Sequence, residues 1–147
     1  MKKYVIYALV VAVLISILVG CAEKTPPIPK VIAENTQIPV KQSSYCWERL
    51  GCADYAGGKT MLKGTAPTVV TSKSRIEVSY DYNPSPNELS IQQFQDEGAV
   101  DVPFQDGHFI APTEKGVYYY GISASWSTKD GKHSKGSTSS VFVIEVQ

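Results

Sequence analysis

The chain has 147 residues, 43% of them hydrophobic, 10% aromatic and 19% charged, with 14 basic residues against 14 acidic. That length suits one domain and leaves no room for a two-domain enzyme once any leader is removed. Without Lys2 and Lys3, which open the leader described next, 12 basic residues face 14 acidic ones. This balance excludes the basic surplus of a nucleic-acid binder.

Met1, Lys2 and Lys3 make a short positive start, and residues 4–19 carry no charge. This is the n-region and h-region pattern of a secretory signal. As a helix those 16 residues would run about 24 Å, short of a ~30 Å hydrocarbon core. The run ends in Leu18-Val19-Gly20-Cys21, which resembles the lipobox of bacterial lipoprotein precursors. The resemblance implies diacylglycerol on the Cys21 thiolate, cleavage between Gly20 and Cys21, and Cys21 as the mature amino terminus. The competing reading is a plain transmembrane anchor with a chance cysteine. Two or more acyl chains hold a protein stably on a bilayer where one does not. The expected location is the outer face of the cytoplasmic membrane, with the lipid on Cys21 as the membrane contact.

Residues 21–36 follow as a lipidated terminus and linker, with Pro26, Pro27 and Pro29 close together. They read as an extended spacer that lifts the domain off the membrane. The alternative is an ordered first strand beginning near Val31. The domain itself is expected over residues 37–147.

Three cysteines would leave one unpaired. If Cys21 is lipidated, Cys46 and Cys52 remain, framing Trp47-Glu48-Arg49-Leu50-Gly51. Disulfides persist in exported proteins, and five intervening residues do not match the two-residue spacing of redox or zinc motifs. A structural disulfide is the first expectation, a reduced pair the second and a catalytic thiol the last.

The body is patterned for strands. From Arg75 to Tyr82, the residues Ile76, Val78, Tyr80 and Tyr82 share one face. From Val117 to Ser127, the residues Tyr118, Tyr120, Ile122, Ala124 and Trp126 alternate with Tyr119, Gly121, Ser123 and Ser125. Phe142, Ile144 and Val146 share one side of the last strand. Leu89 and Ile91 begin another strand, whose phase slips at Gln92-Gln93 before Phe94, as at a bulge. Lys59 to Lys63 allows one helical turn at most. Asp106-Gly107 is a two-residue hairpin signal, Asn83-Pro84-Ser85-Pro86 forces a turn, and Asp130-Gly131 marks the tip of a polar connection from Ser127 to Ser137.

These runs predict an all-β, antiparallel β-sandwich of about seven or eight short strands. Lys115-Gly116-Val117-Tyr118-Tyr119-Tyr120, leading into a Trp-bearing strand, resembles the penultimate strand of immunoglobulin-like and fibronectin-like domains, with their Gly-x-Tyr corner. That resemblance covers the last third of the chain.

Catalytic chemistry is poorly supplied. The two histidines, His108 and His133, follow a turn and lie in a polar loop, so both are expected on the surface. No nucleophile elbow, zinc-binding His-Glu-x-x-His, phosphate loop or dinucleotide fingerprint occurs. Asp81, Asp96, Glu97 and Asp101 read as a solvated charged face, and Asp96-Glu97-Gly98 lacks the ligands of a calcium loop. No cofactor, metal site or catalytic residue is expected. Tyr119 is the candidate ligand contact, since it points away from Tyr118 and Tyr120; a cross-strand pair within its own sheet is the alternative.

Ser44-Tyr45-Cys46-Trp47, Cys52-Ala53-Asp54-Tyr55 and Pro67-Thr68-Val69-Val70 are also similar to a group of short, uncharacterised lipoproteins from Gram-positive bacteria. The similarity runs from about Val40 to Val146. It implies an exported location and the Cys46–Cys52 pairing, and it brings no activity. The expected function is a non-catalytic, lipid-anchored binding module of the cell envelope, with an envelope protein or a cell-wall glycan as partner and no nucleic acid. The alternative is an inhibitor or accessory subunit of an extracytoplasmic enzyme or transporter, using the Asn83–Pro86 turn and the 127–137 loop as a wedge.

Overall fold

The computed structural model describes residues 25–48 and 50–147. The leader and the lipobox, Cys21 included, lie outside the described residues. Among the described residues no helix is long and apolar enough to cross a membrane.

Eleven strands form two sheets: β1 (Pro29–Ala33), β2 (Thr36–Ile38), β3 (Lys41–Trp47), β4 (Gly51–Ala53), β5 (Thr68–Val70), β6 (Arg75–Tyr80), β7 (Glu88–Gln95), β8 (Gly98–Asp101), β9 (His108–Ile110), β10 (Gly116–Ser127) and β11 (Ser134–Val146). One 3-10 helix, Gly58–Leu62, is the only helical element among the described residues. The smaller sheet has the order β2-β1-β6-β9, and the larger runs β4-β3-β11-β10-β7-β8. All these neighbours are antiparallel. The exception is β5, which pairs in parallel with the end of β11, Ile144 to Val146. The all-β sandwich expected from the alternation is thus present, with more strands than the seven or eight expected. The added ones are short (β2, β4 and β5 have three residues each), too short to carry a visible period.

The core lies between the sheets. Val31, Ala33, Ile76, Val78 and Phe109 of the smaller sheet meet Ile91, Tyr120, Ile122, Phe142, Ile144 and Val146 of the larger. Tyr120 and Phe142, neighbours across the β10–β11 ladder, stack at 5.1 Å, and Phe109 reaches across to Tyr120 at 5.1 Å. At one end Trp126 is enclosed edge-to-face by Trp47, Tyr80 and Tyr82, at 5.1, 5.1 and 5.7 Å. Its indole N–H donates to the Pro84 carbonyl at 2.9 Å, satisfying the one polar atom that burial would otherwise strand. Tyr118 donates its hydroxyl back to the Glu114 carbonyl at 2.9 Å.

Three expectations need correction. The linker does not extend to residue 36: Pro29–Ala33 is β1, paired with β2 and β6, and Val31 and Ala33 are buried. Pro29 is the first residue of its strand, where a missing N–H is tolerated, so the prolines hid a strand that two alternating apolar residues anchor. No bulge occurs at Gln92-Gln93, because β7 keeps an unbroken register with β10 from Glu88 to Phe94. Phe94 is out of phase because it packs on the opposite face. Finally, the polar connection after Ser127 is shorter than its composition suggests. β11 begins at Ser134, and its serines pair with β10 as far as Ser134 opposite Ser127, past a register shift after Trp126. The ladder holds them in the sheet despite their weak apolar content.

The Asp106-Gly107 turn forms as expected, but the hairpin is one bridge long, since residues 102–104 form no strand and β9 pairs with β6 instead. Gln105 and His108 exchange backbone hydrogen bonds at 3.1 and 3.0 Å, with positive φ at both central residues, the requirement of a two-residue type I′ turn.

Burial separates the two faces of β10. Trp126 is 1% exposed, so Trp126→Ala should cost about 3–5 kcal/mol through lost burial and the cavity left behind. Tyr119, half-buried on the other face, should cost about 1–2 kcal/mol when truncated. Denaturant melts of the two variants check this order; a one-residue slip of register would reverse it.

Candidate functional site

The outer face of the larger sheet is built by the residues that alternate with the core. Cross-strand register places them in rows roughly 4.8 Å apart across strands and 6.8 Å apart along them. One row is Phe94–Tyr119–Val143. The next is Gln92–Gly121–Val141–Lys41. Below it come Ser90–Ser123–Ser139, then Glu88–Ser125–Ser137–Cys46–Cys52. One side of the sheet is therefore apolar at one end and hydroxyl-rich at the other.

The apolar end is covered. Leu62 of the 3-10 helix is buried against Val141 and Val143, with Met61, Phe94 and Tyr119 around them. Two lysines fix this cover. Lys41 reaches up from β3 to the Met61 carbonyl at 3.1 Å and the Thr65 hydroxyl at 2.7 Å. Lys59 pairs with Asp96 at 2.8 Å, and its ammonium stands 5.6 Å from the centre of the Tyr119 ring, within the range of a cation–π contact. Tyr119 thus lies on the outer face, beside Phe94 in the ladder, and is half-buried under Lys59. Its ring face is occupied by a neighbour within the chain. The Phe94 ring also lies over Gly121, where a Cβ would come within 2.7 Å of it.

The hydroxyl end is open. Glu88, Ser90, Ser123, Ser125, Ser137 and Ser139 line a shallow groove of about 550 Å³ on β7, β10 and β11. The Ser125 hydroxyl donates to the Glu88 carboxylate at 3.3 Å. At the sheet edge Cys46 and Cys52 face each other across β3 and β4, bonded as a disulfide, with both residues exposed. The pairing is the first of the sequence expectations. The next residue, Trp47, turns into the core and lies against Gly136 of β11. A Cβ there would strike the Trp47 ring and come within 2.9 Å of the Cys46 carbonyl, so this close approach requires glycine.

The titratable groups are dispersed. Among the described residues no three of the metal-ligating types gather. His108 lies at a hairpin turn, its Nδ1 3.5 Å from the Asp106 carbonyl, and His133 is exposed in the β10–β11 tip. Burial raises the Tyr80 and Tyr120 hydroxyls well above the ordinary phenol range, so both stay protonated and serve packing. Asp96 is held below the usual carboxylate range by its hydrogen bond from Lys59, and Asp130 by that from the Thr128 hydroxyl. Asp81 pairs with Lys30 at 3.2 Å on the surface, where such pairs contribute little.

Two sequence signals marked the covered outer patch and went unread. Val141, Phe142, Val143 and Ile144 are an apolar run in which every residue is buried, which requires cover on both faces of the strand. Phe94, out of phase in β7, points to the same cover. The serine groove has a weaker signal, since serines alternating with core residues also suit plain solvent exposure.

Compared with protein-family models, curated proteins and solved structures, the chain matches none.

The disulfide closes a short loop, with a sequence separation of six. Cys46→Ala with Cys52→Ala should lower stability by roughly 2 kcal/mol, a fall of several degrees in melting temperature. Thermal melts with and without reductant check it; a melting point that ignores both changes means the bridge contributes nothing.

Proposed function

We propose that this chain is a non-catalytic binding module of the cell envelope, lipid-anchored through Cys21, with the outer face of its larger sheet as the binding surface. The observation that carries the reading is the open groove of about 550 Å³ lined by five serines and Glu88. Each of its hydroxyls can both donate and accept, and they recur across three adjacent strands, which suits a ligand that is itself rich in hydroxyls, such as a cell-wall glycan. The recognition is by hydrogen bonding, because the two aromatic rings on that face are already engaged within the chain, Tyr119 by Lys59 and Phe94 by its packing over Gly121 and against the 3-10 cover. The Leu18-Val19-Gly20-Cys21 box supports the anchor.

Two experiments test the two parts separately. Cys21→Ser removes the thiolate that lipid transfer needs; the variant should stay unprocessed and take up no labelled fatty acid. Equal labelling of this variant and the parent protein would end the anchor reading. Sedimentation with purified peptidoglycan or teichoic acid tests the groove. The parent chain should co-sediment, and Ser123→Arg, which fills the groove without touching the core, should weaken retention at least about tenfold, the scale of one or two lost hydrogen bonds. Retention of both proteins alike, or of neither, ends the glycan reading.

A further inference from the structure

We infer that the hairpin tip between β10 and β11 rests on an anionic phospholipid surface, an inference that depends on the Cys21 anchor proposed above. The chain enters the sandwich at Pro29, which pairs with Tyr80. The Tyr80 ring lies 5.1 Å from that of Trp126, and Trp126 is the penultimate residue of β10. The point of entry and the β10–β11 tip therefore share one end of the molecule. Pro26 and Pro29 are both buried, so only Ala22 to Thr25 separate Cys21 from packed chain. Five residue steps reach roughly 17 Å at full extension. A lipid on Cys21 holds this end close to the bilayer rather than lifting the domain away from it.

The tip has the chemistry for that surface. Lys129 and Lys132 are exposed, Lys135 is half-exposed, and among the described residues none of the three pairs with a carboxylate. The one acid within the tip, Asp130, accepts from the Thr128 hydroxyl at 2.5 Å and the Lys132 N–H at 3.2 Å, so it is spent in shaping the turn. Among the described residues the other acids at this end are Glu48, Asp81, which pairs with Lys30, and Glu88, which accepts from Ser125. Three lysines against one aspartate leave the tip with two net positive charges. Near an anionic leaflet each such charge raises association about fivefold, so the pair together gives about thirtyfold. At the opposite end Lys73 and Lys115 flank the turns that begin β6 and β10, and they serve as internal references.

Lysine acetylation of the full chain in vesicles, read residue by residue by mass spectrometry, tests the inference. The mass of the Cys21 peptide is measured in the same sample. In phosphatidylcholine vesicles containing one-third phosphatidylglycerol, Lys129, Lys132 and Lys135 should be modified at least about fivefold more slowly than in phosphatidylcholine alone, while Lys73 and Lys115 keep their rates. High salt should remove the protection. The triple variant Lys129→Glu, Lys132→Glu, Lys135→Glu should remain lipidated and show no lipid-dependent difference at Lys30, which lies at that end of β1. A lipidated chain whose tip lysines react alike in both vesicles overturns the docking alone. A chain without lipid on Cys21 overturns the anchor reading, and the docking with it.

Discussion

The β10–β11 ladder joins twelve pairs of residues through the middle of the larger sheet, from Gly116 opposite Val146 to Ser127 opposite Ser134. Its apolar half makes a demand that one opposing sheet cannot meet. Phe142, Ile144 and Val146 face the smaller sheet, but Val141 and Val143 face the other way and are buried too. A strand buried on both faces needs a second cover, and the 3-10 helix Gly58–Leu62 supplies it with Leu62. Lys41 and Lys59 then tie that cover to the sheet through Met61, Thr65 and Asp96. The division of the outer face into a covered half and an open half follows from where the second cover stops.

That constraint also explains which parts of the fold could be read in advance. Alternation in β6 and β10 was unambiguous, since one face of each carries large apolar residues in an unbroken period of two. The Asp106-Gly107 turn was legible because its requirement is local: two residues with positive φ. Where the determinant was not local, the reading failed. Nothing within residues 29–33 states that β6 will lie alongside, so Pro29, close behind Pro26 and Pro27, resembled part of a spacer. Ser134 to Ser140 lack a hydrophobic period that could announce a strand, and their place is set by partners on β10 and β3. The apparent slip in β7 came from reading Phe94 against one core when the sheet packs on two.

The candidate site was legible in part for the same reason. Alternation placed Tyr119 on the outer face, yet its exposure depended on Lys59 and Asp96, which are 60 and 23 positions away. The pairing of Cys46 with Cys52 was accessible because both residues lie on one short hairpin, opposite each other in register. The groove could not have been singled out, because it takes rows from β7, β10 and β11 to turn scattered serines into one surface.

The shortened linker changes the geometry of the proposed module. An anchored domain on a long spacer samples all orientations, and any face can serve for binding. Here Pro26 is already packed, so a tether at Cys21 leaves few free residues and fixes which end meets the membrane. The strands of the larger sheet run from that end to the opposite one, since β10 ends at Trp126 and β11 returns from Gly136 beside it. On the proposed reading the outer face then rises away from the bilayer, with the serine rows at its base and the 3-10 cover above them. A ligand in the groove is met from the side, near the membrane surface, and its size is limited by the cover above and the disulfide-bonded hairpin at the edge. This favours short segments of a polymer that passes close to the bilayer over a ligand approaching end-on from outside the cell.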